Sequence, residues 1–143
     1  MTQEQKCLLL KDLCARLPYG VYVEHTTSGF RGKLHDISVY QRYDNDDTIK
    51  DYVCYTNFFG DITCKIEFFK PYLFPLSSMT EEQKKEYRKV CELDTEILEN
   101  HPMDGSPFPA MHNSQDWLDA HHFDYRGLIP MGLAIDATDK NIY

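Results

Sequence analysis

The amino-acid sequence predicts an α+β fold: a small antiparallel sheet of about four strands, an N-terminal helix, a central helix and a C-terminal helical pair. Three observations carry that prediction. Thr2–Gln5 and Thr80–Gln83 both show the Thr-x-x-Gln pattern of a helix capping box. Residues 21–68, between them, are rich in β-branched and aromatic side chains broken by turn formers. Lys70–Leu76, with two prolines, then separates this half from one whose apolar spacing is helical.

The chain of 143 residues is long enough for one domain with a core and short for two. It is read as a single domain, 1–143, with a helix and sheet in 1–76 and mainly helix in 77–143. Residues 3–16 form the first expected helix, with Leu10, Leu13, Cys14 and Leu17 on its inner face; Pro18 and Gly20 stop it. The expected strands are Val21–Val23, Leu34–Tyr40, Ile49–Asn57 and Ile62–Phe68, joined as a meander through turns at Thr26–Gly29, Asp44–Asp47 and Gly60–Asp61. In the last strand Ile62, Cys64, Ile66 and Phe68 alternate onto one side.

Lys70–Leu76 is read as an extended linker outside the sheet, because proline cannot donate to a ladder. In the central helix Tyr87, Val90, Cys91, Ile97 and Leu98 share a face that Asp94 interrupts. Lys84, Lys85, Arg88 and Lys89 lie outward, partly neutralised by neighbouring glutamates. His101–His112 is Pro- and Gly-rich and expected as loop. Ser114 is the expected N-cap of a helix at Gln115–His121. A second helical piece is expected to start at His122 or Asp124, with Tyr125, Leu128 and Ile129 on its inner side and Gly132 as its C-cap.

Composition narrows the function classes. Hydrophobic residues at 42% and aromatics at 13% argue for a folded chain, and no apolar run approaches the length of a membrane span. The N-terminal stretch lacks the pattern of a signal peptide, so a cytoplasmic location and no membrane partner are expected. Five cysteines without a CxxC pair are expected as small buried hydrophobes. The net charge of −8 lies mostly in residues 71–143, with 6 Lys/Arg against 13 Asp/Glu, which argues against general nucleic-acid binding. The Asp44–Asp47 cluster lacks the glycine and terminal glutamate of a calcium loop and is read as a hairpin tip.

The densest stretch is Asn113–Ala137, with Trp117, His121, His122, Asp124, Tyr125 and Arg126. A metal site there would draw on His112, Asp116, Asp119, His121, His122 and Asp124. Adjacent histidines on a helix diverge by about 100°, however, and no HExxH spacing occurs. Neither GxSxG, Walker nor GxGxxG motifs appear, so no cofactor, no metal and no catalytic residue is expected. Instead His121 or His122 would cap a helix end, and Arg126 would pair with Asp119 or Asp124.

The segments KPYLFPLSSMTEEQ (Lys70–Gln83) and WLDAHHFDYRGLIPMGLAI (Trp117–Ile135) resemble signatures of uncharacterised small proteins of Bacteroidetes-type gut bacteria, their prophages and other mobile elements. The resemblance implies an accessory protein of a mobile element and carries no activity with it. In that group Arg stands at the position of Phe74 and an acid at that of Pro130, so no charge-based role transfers to either.

The leading expectation is a non-enzymatic interaction or accessory module whose partner is a protein, either itself or a host or phage component. Its binding surface would be the open sheet face or the segments holding Tyr72, Phe74, Trp117, His121, His122, Asp124, Tyr125 and Arg126. The alternatives are a hydrolase or metal-dependent enzyme using His121, His122 and Asp124, and a nucleic-acid-associated protein using Arg31, Lys33, Lys65 and Lys70.

Overall fold

Both expected capping boxes form. Thr2 Oγ1 accepts from the Gln5 N–H at 3.2 Å while Gln5 Oε1 accepts from the Thr2 N–H at 2.8 Å, and Thr80 and Gln83 repeat the exchange at 3.2 and 2.9 Å. The computed structural model describes residues 1–38, 40–43, 49–57, 61–100 and 113–143, with side chains for 1–38, 65–96 and 113–143. The expected turns at Asp44–Asp47 and Gly60 and the loop His101–His112 lie outside the described residues.

The elements are α1 (Gln3–Arg16), β1 (Tyr22–His25), β2 (Arg31–Lys33), β3 (Tyr40–Tyr43), β4 (Ile49–Asn57), β5 (Asp61–Lys65), β6 (Phe69–Leu73), α2 (Glu81–Asn100), α3 (Asn113–Ala120) and β7 (Ile135–Asp136). Short 3-10 turns at Leu17–Tyr19, Ile66–Phe68 and Leu76–Ser78 link some of them. The class is α+β. Among the described residues no helix is long and apolar enough to cross a membrane.

The strand pairing differs from a single meander. A four-stranded mixed sheet runs β2-β1-β6-β7, with β6 and β7 parallel, and β3-β4-β5 form a separate antiparallel sheet. The expected strand Leu34–Tyr40 is replaced by β2 and β3 on either side of it, and a 3-10 turn ends the Ile62–Phe68 alternation at Lys65. The stretch read as a linker supplies β6, an interior strand. It does so because Pro71 sits where no donor is needed on the β1 side. The Thr26 N–H bonds Phe68 O at 2.8 Å, so hydrogen-bonded pairs fall at 26/68 and 24/70. Val23↔Pro71 is then a non-hydrogen-bonded pair, and the missing N–H faces the other edge, just before β7 begins opposite Tyr72.

One face of this sheet is covered by α1. Leu9 and Leu13 pack on Val21, Val23, Ile66, Phe69 and Leu73, joined by Leu128 and Leu133 from the chain's last third. Each such side chain contributes about 1.5–3 kcal/mol by leaving water. The buried stripe of α1 is Leu9, Asp12, Leu13 and Arg16, one step round from the expected one. Cys14 lies outside it and is exposed, as is Cys7.

The central helix packs against α3 rather than across the sheet, through Tyr87 and Trp117, whose ring centroids are 5.4 Å apart. Asp94, the interruption in its apolar face, accepts from the N–H groups of Asn113 and Ser114 at 3.1 and 2.8 Å. α3 is thus capped from α2, and begins before the expected Ser114 cap. The expected second C-terminal helix is absent among the described residues. Left-handed backbone at His122, Gly127 and Gly132 (φ 58°, 73° and 72°) breaks the segment into single turns. Gly132 caps one of them as expected: its N–H reaches Ile129 O and the Leu133 N–H reaches Leu128 O, both at 2.9 Å.

Candidate functional site

Where α3 ends, the chain folds back against α1 and meets a buried pair of charges. Asp12 and Arg16, one helical turn apart, have fully buried side chains. Arg16 Nε and Nη2 donate to the two Asp12 oxygens at 2.9 and 3.0 Å. Arg16 also donates to the backbone oxygens of Phe123 at 2.8 Å and Leu118 at 3.4 Å. Those carbonyls lie at the end of α3 and after it, where a helix leaves acceptors unpaired.

Asp119 and Arg126 complete the cluster. Arg126 Nη1 donates to Asp12 at 2.8 Å and to Asp119 at 3.2 Å, and Arg16 Nη2 stands 3.5 Å from Asp119. The Tyr125 hydroxyl donates to Asp119 at 3.1 Å, and the Arg126 guanidinium lies 4.3 Å from the Tyr125 ring centre. Burial, with the Asp119 charge beside it, pushes the Tyr125 phenol up to about 12. Two carboxylates therefore meet two guanidiniums, and the cluster carries no net charge. Of the two acids expected for Arg126, Asp119 is its partner.

Asp124 is buried but occupied elsewhere. Its oxygens accept from the N–H groups of Leu128 and Ile129, both at 2.8 Å, opening the turn that Gly132 closes. The two histidines go separate ways. His121 stacks on Trp117 with centroids 3.9 Å apart, and its Nδ1 lies 2.8 Å from Trp117 O, the expected capping role. His122 turns inward, 7% exposed, and stacks on Tyr143 with centroids 4.1 Å apart. Its Nδ1 is buried without a hydrogen-bond partner among the described residues. Burial, then the Arg16 charge, pushes the His122 imidazole down to about 4.

Of the residues a metal site would have drawn on, Asp116 is exposed, Asp119 belongs to the ion cluster, and His112 lies outside the described residues. Among the described residues no group of three or more His, Cys, Asp and Glu side chains is placed to hold a metal.

The sheet positions separate as well. Register puts Tyr22, Glu24, Arg31, Lys33, Lys70 and Tyr72 on the face away from α1. Tyr72 is only 1% exposed; its hydroxyl donates to Glu24, which also accepts from Arg31 Nε at 2.8 Å. The Tyr72 hydrogen bond, with the Arg31 charge, holds the Glu24 carboxyl below its ordinary value, while burial and Glu24 push Tyr72 up to about 12. Phe74 is half-buried against Phe123 and Tyr143. Three of the cations named for nucleic acid, Arg31, Lys33 and Lys70, thus share a face. Arg31 is paired with Glu24, and Arg31 and Lys33 lie over the Tyr72 and Tyr22 rings.

Sequence reasoning missed Asp12, Arg16, Glu24, Asp94 and Tyr143. For the first two a signal existed: they fall at the i+3 and i+7 positions from Leu9, on the stripe Leu9 and Leu13 define. No family model, curated protein or solved structure matches the chain.

Proposed function

We propose that the protein is a non-enzymatic interaction module. The observation that carries this reading is the state of its densest charged constellation. Asp12 and Arg16 are closed to water, Asp119 is 4% exposed, and the charges cancel. An acid, base or nucleophile must reach a substrate and keep a free proton site. Here carboxylate and guanidinium groups satisfy one another, which suits a scaffold. Buried ion pairs of this kind favour one packing over its competitors more than they add stability.

The surface that suits a partner lies at the β1–β2 turn. Phe30, 65% exposed, stands opposite His25, whose ring centre is 5.9 Å from that of Phe68, itself 38% exposed. Exposed aromatic side chains are enriched in protein contacts. The partner is a protein, and the resemblance of 70–83 and 117–135 to mobile-element proteins makes it a host or phage component, or a second copy.

The test compares wild type with Phe30→Asp by sedimentation velocity and by quantitative cross-linking in bacterial lysate. Wild type should self-associate or retain a defined protein that Phe30→Asp loses, with both unfolding alike. Wild type that stays monomeric and retains nothing beyond the Phe30→Asp control refutes the interaction role. Retention of oligonucleotides at low salt, lost on Lys33→Glu, would replace it with the nucleic-acid reading.

A further inference from the structure

Strands β1 and β6 part at one position, and a side chain fills the gap. Their register, continued one step past Val23↔Pro71, sets Tyr22 opposite Tyr72 at the next hydrogen-bonding position. There the Tyr22 N–H donates at 3.2 Å to the Tyr143 hydroxyl, which donates at 2.7 Å to Tyr72 O. One residue hydroxyl stands in for a ladder bond. Just beyond, Phe74 takes a different neighbour: its N–H reaches His122 O at 2.9 Å and its oxygen accepts from the Asp124 N–H at 2.8 Å. Tyr143 thus sits where β1 gives way to residues 122–124 alongside β6.

The segment that delivers Tyr143 makes short-range bonds back to the end of β7, from Thr138 to Asp136 at 2.9 and 2.6 Å and from the Lys140 N–H to Ala137 O at 3.0 Å. Thr138, Asp139, Lys140 and Asn141 are exposed, and Asn141 has left-handed backbone (φ 47°). Beyond them the Tyr143 ring anchors the segment: it stacks on His122 at 17°, meets Tyr22 edge-on at 5.5 Å and lies 5.6 Å from Phe74. His122 is itself an uncommon placement, a non-glycine residue at φ 58° whose Nδ1 has no partner among the described residues. Such outliers persist where the surroundings impose them and cluster at active sites, ligand clamps and switch regions.

We propose that His122 and Tyr143 form a latch that mild acid releases: neutral His122 seats the Tyr143 ring, and its protonation expels residues 138–143 and opens the β1–β6 junction. The groups facing His122 all bear on this. Arg16 and Asp12 approach from α1, Lys33 from β2, His121 from the preceding residue, and Tyr143 covers the ring. Of these described groups Asp12 alone favours an imidazolium, and two guanidiniums already engage it.

The sign and size follow from linkage. In the closed state His122 titrates at about 4 against an ordinary 6.5, so the closed state binds fewer protons between those values. The latch is fully stable above pH 6.5. Its opening constant rises as pH falls below that, by at most about 300-fold once His122 is protonated in the closed state as well.

The experiment reads hydrogen exchange of the Tyr22 amide and titration of the His122 ring by NMR, in wild type, His122→Phe and Tyr143→Ala. In wild type the Tyr22 N–H should exchange through a local opening, faster than the Leu13 N–H. Its opening constant should rise several-fold, by up to about sevenfold, between pH 6 and pH 5. In His122→Phe that rise should vanish. In Tyr143→Ala the His122 ring should titrate well above its wild-type value, which remains readable if the Phe variant fails to fold. A Tyr22 opening constant flat with pH in wild type, or identical His122 titrations in wild type and Tyr143→Ala, overturns the latch.

Discussion

Replacing Arg16 with Met tests whether the ion cluster holds α1 to the α3 segment. Met fills much of the arginine's volume, so the perturbation is chiefly one of charge and hydrogen bonding. It removes both donors to Asp12, the 3.5 Å contact with Asp119 and the bond to Phe123 O. One guanidinium, Arg126, is then left for two buried carboxylates. Breaking a buried pair from one side costs about 3–5 kcal/mol, and an orphaned carbonyl adds about 1 kcal/mol or more. A loss of about 4–5 kcal/mol is therefore expected, a large share of the stability of an ordinary domain. Urea unfolding followed by circular dichroism and Trp117 fluorescence would show it. With a slope of roughly 2 kcal/mol per M, the midpoint should fall by about 2 M. The double substitution Asp12→Leu/Arg16→Met leaves one acid against one guanidinium and should recover about 2 kcal/mol of that loss. A single-variant loss under about 1.5 kcal/mol, or a double variant no better than the single, would show that the cluster does not hold the segments together.

Two smaller perturbations probe the caps and turns. Asp94→Ala frees the N–H groups of Asn113 and Ser114 and should cost about 1 kcal/mol, or about 4 °C in melting temperature. Burial raises the Asp94 carboxyl, but the bonds from Ser114 and Asn113 outweigh it and its value is lowered overall. The contribution is therefore present above pH 3.8 and lost as pH falls through the lower folded value; a cost that instead persists in acid would refute this assignment. Gly20 has φ 69°, and an added Cβ would meet only the Lys33 side chain, at 3.6 Å. Gly20→Ala should cost about 1–2 kcal/mol from backbone strain, and Gly20→Asn less; equal costs in chemical denaturation would point to crowding instead.

Local chemistry made part of the fold legible. The capping boxes at Thr2 and Thr80 depend on residues three apart, and α1 spans the residues expected of it. Pairing was not legible, because hydrophobic period identifies a strand without naming its neighbour. Pro71 shows how a sound local rule misleads: it lacks a donor, but its N–H position faces away from β1, where none is required. Asp94 read as a flaw within α2 because its purpose lies on another helix. The second C-terminal helix failed for a local reason, since helical spacing from Tyr125 to Ile129 cannot outweigh left-handed backbone at His122, Gly127 and Gly132.

The candidate site was legible on one side only. Residues 119–126 attracted notice because unusual side chains crowd together there, yet their partners sit in a helix whose polar residues looked like solvent-facing ones. An Asp and an Arg four apart read the same on an exposed helix as on a buried one. What distinguishes Asp12 and Arg16 is position: they interleave with Leu9 and Leu13, so the stripe that enters the core carries two charges with it. Burying charge costs several kcal/mol per ion unless partners arrive, and those partners must come from elsewhere in the chain. Arg126, Asp119 and the carbonyls of Leu118 and Phe123 supply them. The eight-residue helix α3 is too short to persist alone. Each half therefore completes the other: Asp12 of α1 takes a second guanidinium from Arg126, and Arg16 of α1 reaches the Phe123 and Leu118 carbonyls and Asp119. The two should fold together as one unit, with His122, held between them, reporting on their junction.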